Sequence, residues 1–198
     1  TITDGALTDA ATVTVTVTGT NDAPTPNGTI TTQSNADSTT ITPLDVSSFF
    51  TDIDTGDTIA FSSASLPPGL SINGSTGVIT GTLPANASNG GPYAVTITGT
   101  DSQGAATTQS FFWEVTNPAP IASDDAMNVS ENTSLSGNLI TADNGSGIDV
   151  DPDGDVLTVA EITGQVGNVG SSVTGTNGGS FIVEDNGAYS FVPGSDFD

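Results

Sequence analysis

Seven consecutive residues, Thr12-Val13-Thr14-Val15-Thr16-Val17-Thr18, alternate β-branched polar and apolar side chains without a break. That period of two predicts a strand with one face buried and the other wet. Phe111, Trp113 and Val115 repeat the spacing, and Val95 with Ile97, Leu157 with Val159, and Tyr189 with Phe191 make shorter pairs of the same period. Turn clusters of Gly, Asn, Asp and Ser separate these runs roughly every 8–12 residues, the spacing of short strands in a sandwich. No stretch of useful length carries the 3.6-residue period of an amphipathic helix. The pattern predicts an all-β chain.

The runs also recur. Residues 1–24 and 95–120 share a strand, a turn built on Thr-Asp-Gly or Asp-Ser-Gln-Gly, a second strand, and then Asn with an Ala-Pro linker. Asp52-Ile53-Asp54-Thr55-Gly56-Asp57 and Asp151-Pro152-Asp153-Gly154-Asp155 echo one another at nearly the same distance. The period of about 96 residues is close to one Ig-like sandwich. On this basis residues 1–24 are read as the C-terminal hairpin and linker of one repeat and 25–118 as a whole sandwich. Residues 119–198 are read as a further sandwich that stops before its last hairpin, the whole being a segment of an elongated tandem array.

Composition changes the picture more than length does. The 198 residues contain no Lys, Arg, His or Cys, and 23 Asp and Glu leave a net charge of −23. With no internal counter-charge, a compact state in neutral water needs cations from outside. Oxygen ligands are what the chain offers, and they suit Ca²⁺; zinc and copper sites built on His or Cys are excluded. Catalysis by His, Cys or Lys is excluded too. Nucleic acid and anionic membrane surfaces, both bound through Lys and Arg, are repelled. Neither a disulfide nor a Lys–Asn crosslink is possible, so metal ligation is the staple left to a chain that is 34% hydrophobic.

Several motifs carry a family resemblance. Thr20-Asn21-Asp22-Ala23-Pro24, Asn117-Pro118-Ala119-Pro120, Pro67-Pro68-Gly69-Leu70-Ser71-Ile72 and Ser75-Thr76-Gly77-Val78-Ile79-Thr80-Gly81-Thr82 resemble the dystroglycan-type cadherin-like (CADG) domain. Ser123-Asp124-Asp125, Val129-Ser130-Glu131-Asn132-Thr133 and the run from Asp151 to Val159 resemble VCBS-type cadherin-like repeats. Both types occur in giant bacterial RTX adhesins and related surface proteins. The resemblance implies Ig-like or cadherin-like sandwiches strung end to end, with Ca²⁺ at or near the junctions stiffening them into a rod. A cadherin-type junction draws its ligands from two consecutive domains and the linker between them.

The candidate ligands follow. Asp149, Asp151, Asp153 and Asp155 in an extended segment would stand on one side roughly 6.6 Å apart. Each neighbouring pair would then cost about 0.6 kcal/mol in water and up to about 2.5 kcal/mol at an effective dielectric of 20. A divalent ion reverses that sign. Asp149, Asp151, Asp153 and Gly154 also fit the first, third, fifth and sixth positions of an EF-hand loop, but the twelfth is Ala160 and the following Val156-Leu157-Thr158-Val159 reads as a strand. The alternatives are a β-turn Ca²⁺ site and a solvated acidic turn. Asp52, Asp54 and Asp57 would take the same role in the preceding domain, joined by Asp101 and by Asn21 and Asp22 of the incoming linker. In the second linker Asn117-Pro118 replaces Asn-Asp, and Asp124, Asp125 and Glu131 are the candidates to make up the missing carboxylate.

Trp113, with Phe111 and Val115, is assigned to the inward face of a terminal strand and Phe112 to the outer one. The leading expectation is a structural extender of a bacterial surface or secreted adhesin, outside the cell, where Ca²⁺ is abundant enough for sites that bind at roughly 10⁻⁴ to 10⁻³ M. Its partners are then the neighbouring repeats of the same polypeptide. The alternative is a calcium-dependent carbohydrate-binding module, holding a polysaccharide or host-surface ligand through loop polar groups and exposed aromatics. A carboxylate-pair enzyme ranks below both, because the acids cluster in metal-like turns.

Overall fold

The computed structural model describes residues 1–175 and 178–194. Its regular structure is all β, with three single 3₁₀ turns and no α-helix among the described residues. The chain opens with a small antiparallel hairpin, β1 (Ile2–Thr3) and β2 (Thr8–Asp9). Asp4 Oδ1 accepts the backbone N–H groups of Ala6 and Leu7 at 2.9 and 2.8 Å, and Gly5 turns through a positive φ of 97°.

The Thr12–Thr18 run departs from its expected state. It is not part of any ladder, and Val13, Val15 and Val17 are 84, 78 and 87% exposed. Alternation defines two faces of a segment, but a strand exists only when a second backbone lies about 4.8 Å away to take its hydrogen bonds. No such partner stands beside this run among the described residues.

The next nine strands form one sandwich. They are β3 (Thr25–Pro26), β4 (Gln33–Ala36), β5 (Leu44–Asp45), β6 (Phe50–Thr51), β7 (Ala60–Ala64), β8 (Leu70–Ile72), β9 (Val78–Gly81), β10 (Tyr93–Thr100) and β11 (Ala106–Thr116). One sheet runs β4-β11-β10-β7 and the facing one β5-β9-β8, with β3 paired to β6 at the side. All pairings are antiparallel except that of β4 with β11, where Trp113 stands opposite Gln33 and Thr116 opposite Ala36. Period-two patterning locks the register. In β10, Val95 and Ile97 are fully buried, and in β11 Phe111 and Trp113 point inward while Phe112 is 54% exposed. Twelve buried apolar residues make one cluster across the two sheets, and the Trp113 indole N–H donates to Asn35 Oδ1 at 3.0 Å.

Two glycines let β8 and β9 close on each other. Gly69 has φ of +80°, and a Cβ there would lie 2.0 Å from the Thr82 carbonyl oxygen; at Gly81 it would lie 2.1 Å from the Gly69 carbonyl. No side chain fits either place, so the Pro67-Pro68-Gly69 loop can end the sandwich only with glycine in its third position.

The last unit holds β12 (Leu135–Asn138), β13 (Val173–Thr174), β14 (Ser180–Val183) and β15 (Ala188–Val192), in the order β12-β15-β14-β13. Register places Leu135, Phe181, Val183, Tyr189 and Phe191 on one face. Among the described residues of this unit only Val183 and Tyr189 are buried apolar side chains. Val156–Val159, expected as a strand, joins no ladder; its backbone makes one bond, Val159 N–H to the Asp185 carbonyl at 2.8 Å, and Val156 is 91% exposed.

Candidate functional site

The aspartates gather at two places, one at the N-terminal end of the central sandwich and one at its far end. At the first, the loop after β6 bends back on itself. Asp54 N–H donates to Asp52 Oδ1 at 2.8 Å and Asp57 N–H to the Asp54 carbonyl at 3.3 Å, with Gly56 at φ +97°. The turn brings carboxylate oxygens of Asp52, Asp54 and Asp57 within 4.8 Å of one another, each residue half-buried. Asp52 Oδ2 and Asp57 Oδ2 are shut off from solvent and have no hydrogen-bond partner. A buried acceptor without a donor is a costly arrangement, the more so for a charged group.

The incoming linker docks on this loop. Asp22 N–H donates to Asp54 Oδ2 at 2.7 Å, and the Asn21 side chain donates to Asp101 Oδ2 at 2.8 Å while accepting from Gln103 Nε2 at 2.6 Å. Asp101 is 5% exposed and caps the β10–β11 turn, accepting the N–H groups of Gln103 and Ala105 through Oδ1. The Asn21 amide, assisted by the backbone N–H groups of Ala105, Gln103 and Gly104, holds the Asp101 carboxyl below the usual aspartate range against the opposing effect of burial. Ser102 Oγ donates to Asp57 Oδ1 at 2.7 Å and ties this turn to the other. Asn21, Asp22, Asp52, Asp54, Asp57 and Asp101 thus form one hydrogen-bonded assembly, although three separate stretches of chain supply them.

At the far end the expected row of carboxylates is replaced by a turn. Asp151 Oδ1 accepts the N–H groups of Asp153 and Asp155 at 3.1 and 3.2 Å, and Gly154, at φ +87°, bonds back to the Asp151 carbonyl. Asp149 is drawn the other way, accepting Ser123 N–H at 2.7 Å beside the Ile121–Val150 bridge. A local Asx-type turn outcompetes the extended form because one carboxylate satisfies two backbone donors. Asp153 is 8% exposed and its Oδ1 has no partner. A carboxyl–carboxyl hydrogen bond to Asp151, then burial, then the charges of Asp151 and Asp155 push Asp153 up to about 6. The same bond holds Asp151 below the usual range.

Central-domain residues meet this turn. Ser38 Oγ donates to the Asp153 carbonyl at 3.1 Å. The Asn117 amide reaches Asp155 Oδ2 at 3.3 Å in one orientation and Asp153 Oδ2 at 3.1 Å in the other. Next to Ser38, Asp37 is 2% exposed, with Oδ1 accepting Ser88 N–H and Oδ2 unpartnered. Sequence reasoning passed over Asp37, since Ala36-Asp37-Ser38 has the form of an ordinary turn. Only the parallel pairing of β4 with β11 places it beside Thr116 and the linker that follows. Asp125 is engaged by Asn144 at 2.8 Å, and Asp124 and Glu131 are exposed with no hydrogen bond to either cluster among the described residues.

Residues 23–116 match the family described as "Putative Ig domain", and residues 117–198 match "Bacterial Ig domain". Two Ig-type matches thus follow one another along residues 23–198. Domains of this type are typically non-catalytic and usually belong to surface proteins. No curated protein matches the tandem Ig-type chain. Among solved structures it is similar to Drosophila N-cadherin EC1-4, at 14% identity and a TM-score of 0.44, covering 90% of this chain and 42% of that one. Human CDH23 EC21-23 gives 14% and 0.42, covering 88% and 55%. A nucleoside hydrolase-related hypothetical protein from Saccharophagus degradans gives 20% and 0.38, covering 48% and 26%. The tandem chain therefore spans less than two thirds of each of these structures. No helix among the described residues is long and apolar enough to cross a membrane.

Proposed function

We propose that the tandem Ig-type chain is a structural extender of a bacterial surface or secreted adhesin of the RTX kind, placed outside the cell, in which Ca²⁺ bound at the domain ends fixes the angle between successive sandwiches. The observation that carries this reading is the pair of buried, unpartnered oxygens, Asp52 Oδ2 and Asp57 Oδ2, inside a three-aspartate group that the linker itself touches. The donor set fits a hard cation, being all carboxylate with amide and carbonyl oxygens close by. Asp52, Asp54 and Asp57 would hold the ion, and a bound cation would supply the positive charge that the chain lacks.

The rest of the work belongs to the chain. Asp22 N–H and the Asn21 amide hold the linker against the Asp54 and Asp101 carboxylates, so whatever orders the loop also orders the entry angle of the preceding segment. At the second junction Asp151, Asp153 and Asp155, with Asn117 and Asp37 adjacent, are placed to do the same. The test is small-angle scattering and thermal melting in EDTA and across millimolar Ca²⁺, with Mg²⁺ as the control for charge screening. Calcium-specific lengthening and stabilisation is the expected result. An equal effect of Mg²⁺, or no change, overturns the proposal.

A further inference from the structure

We propose that one Ca²⁺ is shared across the second junction, held by Asp37 of the central sandwich, Asp153 of the last unit and the side-chain oxygen of Asn117 in the linker between them. The proposal rests on the calcium reading and adds to it the ligands that cross the domain boundary. At the first cluster all three carboxylates come from a single loop. At the second, three separate stretches of chain would meet on the ion.

Two oxygens without a donor mark the place. Asp37 and Asp153 are 2 and 8% exposed, and Asp37 Oδ2 and Asp153 Oδ1 are shut off from solvent with no hydrogen-bond partner. They belong to different domains yet stand at one junction, because Ser38, next to Asp37 in sequence, donates through Oγ to the Asp153 carbonyl at 3.1 Å. Backbone bonds fix both residues there. Asp37 accepts the Ser88 N–H on Oδ1 at 2.9 Å and gives its own N–H to the Thr116 carbonyl at 2.9 Å, at the end of β11 where the linker begins. Asp153 gives its N–H to Asp151 Oδ1, which also accepts from Asp155. Asp151 is thereby engaged within the turn, and Asp153 is left over.

The protein itself has nothing to offer these two oxygens. The sequence holds no Lys, Arg or His that could bring a positive side chain. Asn117 donates to Asp155 Oδ2 in one orientation and to Asp153 Oδ2 in the other, so neither orphan oxygen receives its N–H. In the first orientation the Asn117 side-chain oxygen stands 3.1 Å from Asp153 Oδ2 and 3.2 Å from the Pro118 carbonyl oxygen, acceptor against acceptor. Oxygens this close repel one another unless a cation shares them. Carboxylate, amide and carbonyl oxygens are the donor set of Ca²⁺. Without the ion the amide turns its nitrogen to Asp153; with it, the oxygen takes that side. An ion whose ligands are divided between two domains binds the docked arrangement and not the splayed one, so its binding stabilises docking by mass action.

Isothermal titration of the full chain with Ca²⁺ tests the proposal, in the wild type, Asp37→Asn, Asp153→Asn, their double variant, and Asn117→Ala. Each Asp substitution, one in either domain, is expected to abolish the same single site or weaken it about tenfold or more, and the double variant to lose no more than that one ion. Asn117→Ala alters an exposed linker residue and is expected to weaken the same site, which keeps the test decisive if Asp37→Asn fails to fold. Small-angle scattering of these variants in millimolar Ca²⁺ is expected to match the wild type in EDTA. A site kept at full affinity in Asp37→Asn, or indifferent to both Asn117→Ala and Asp153→Asn, overturns the proposal, while loss of an ion in Asp57→Asn would still leave the calcium reading standing. Loss of two ions in the double variant also overturns it, since Asp37 and Asp153 then serve separate sites. A wild type that binds no Ca²⁺ overturns both.

Discussion

Asp57→Asn should change the stability of the central sandwich in opposite directions with and without calcium. The asparagine carbonyl still accepts from Ser102, while its amide replaces the unpartnered Oδ2 and faces the Asp52 and Asp54 carboxylates as a donor. Two like-charge pairs within 4.8 Å disappear; at the dielectric of water each is worth about 0.9 kcal/mol, so the metal-free variant gains roughly 2 kcal/mol. For a domain of this size that is a rise of about 8–16 °C in Tm. Calcium acts the other way. A wild-type site binding at about 10⁻⁴ M gains about 2.7 kcal/mol in 10 mM Ca²⁺, and a variant short of one ligand gains much less. Trp113 is the sole tryptophan and lies in this core, so its fluorescence follows the central unit alone. Melts of both proteins in EDTA and in 10 mM Ca²⁺ should therefore show the variant ahead in EDTA and gaining less from the ion. A lower Tm for Asp57→Asn in EDTA, or equal gains from calcium, would refute the reasoning.

Two further outcomes are expected. Gly69→Ala must relieve a Cβ placed 2.0 Å from a backbone carbonyl at φ +80°; left-handed strain and overpacking together cost about 2–5 kcal/mol, and an unchanged urea midpoint would contradict this. Asp153, raised to about 6 in the fold, takes up its proton at higher pH than in the unfolded chain. In EDTA the last unit should therefore gain stability as pH falls from 7 through 6, levelling near 4, and Asp153→Asn should flatten that slope when followed by circular dichroism.

The sequence by itself determined the all-β class, the inward face of β11 and the chemistry on offer. Period-two alternation through Val95, Ile97, Phe111 and Trp113 is a local property that survives any packing, and an inventory with no Lys, Arg, His or Cys excludes chemistries whatever the fold. It also named Asn21, Asp22, Asp52, Asp54, Asp57 and Asp101, because turns rich in Asp are legible as turns. Tertiary structure decided the rest. The alternation of Thr12–Thr18 is stronger than that of β10, yet only β10 is a strand, since a ladder needs a second backbone and no pattern within one segment supplies it. Asp149 left the expected row because Ser123, 26 positions away in sequence, offered it a donor. Asp37 became a buried carboxylate beside the second linker through the parallel β4–β11 pairing, a contact across some eighty residues that nothing near Asp37 announces.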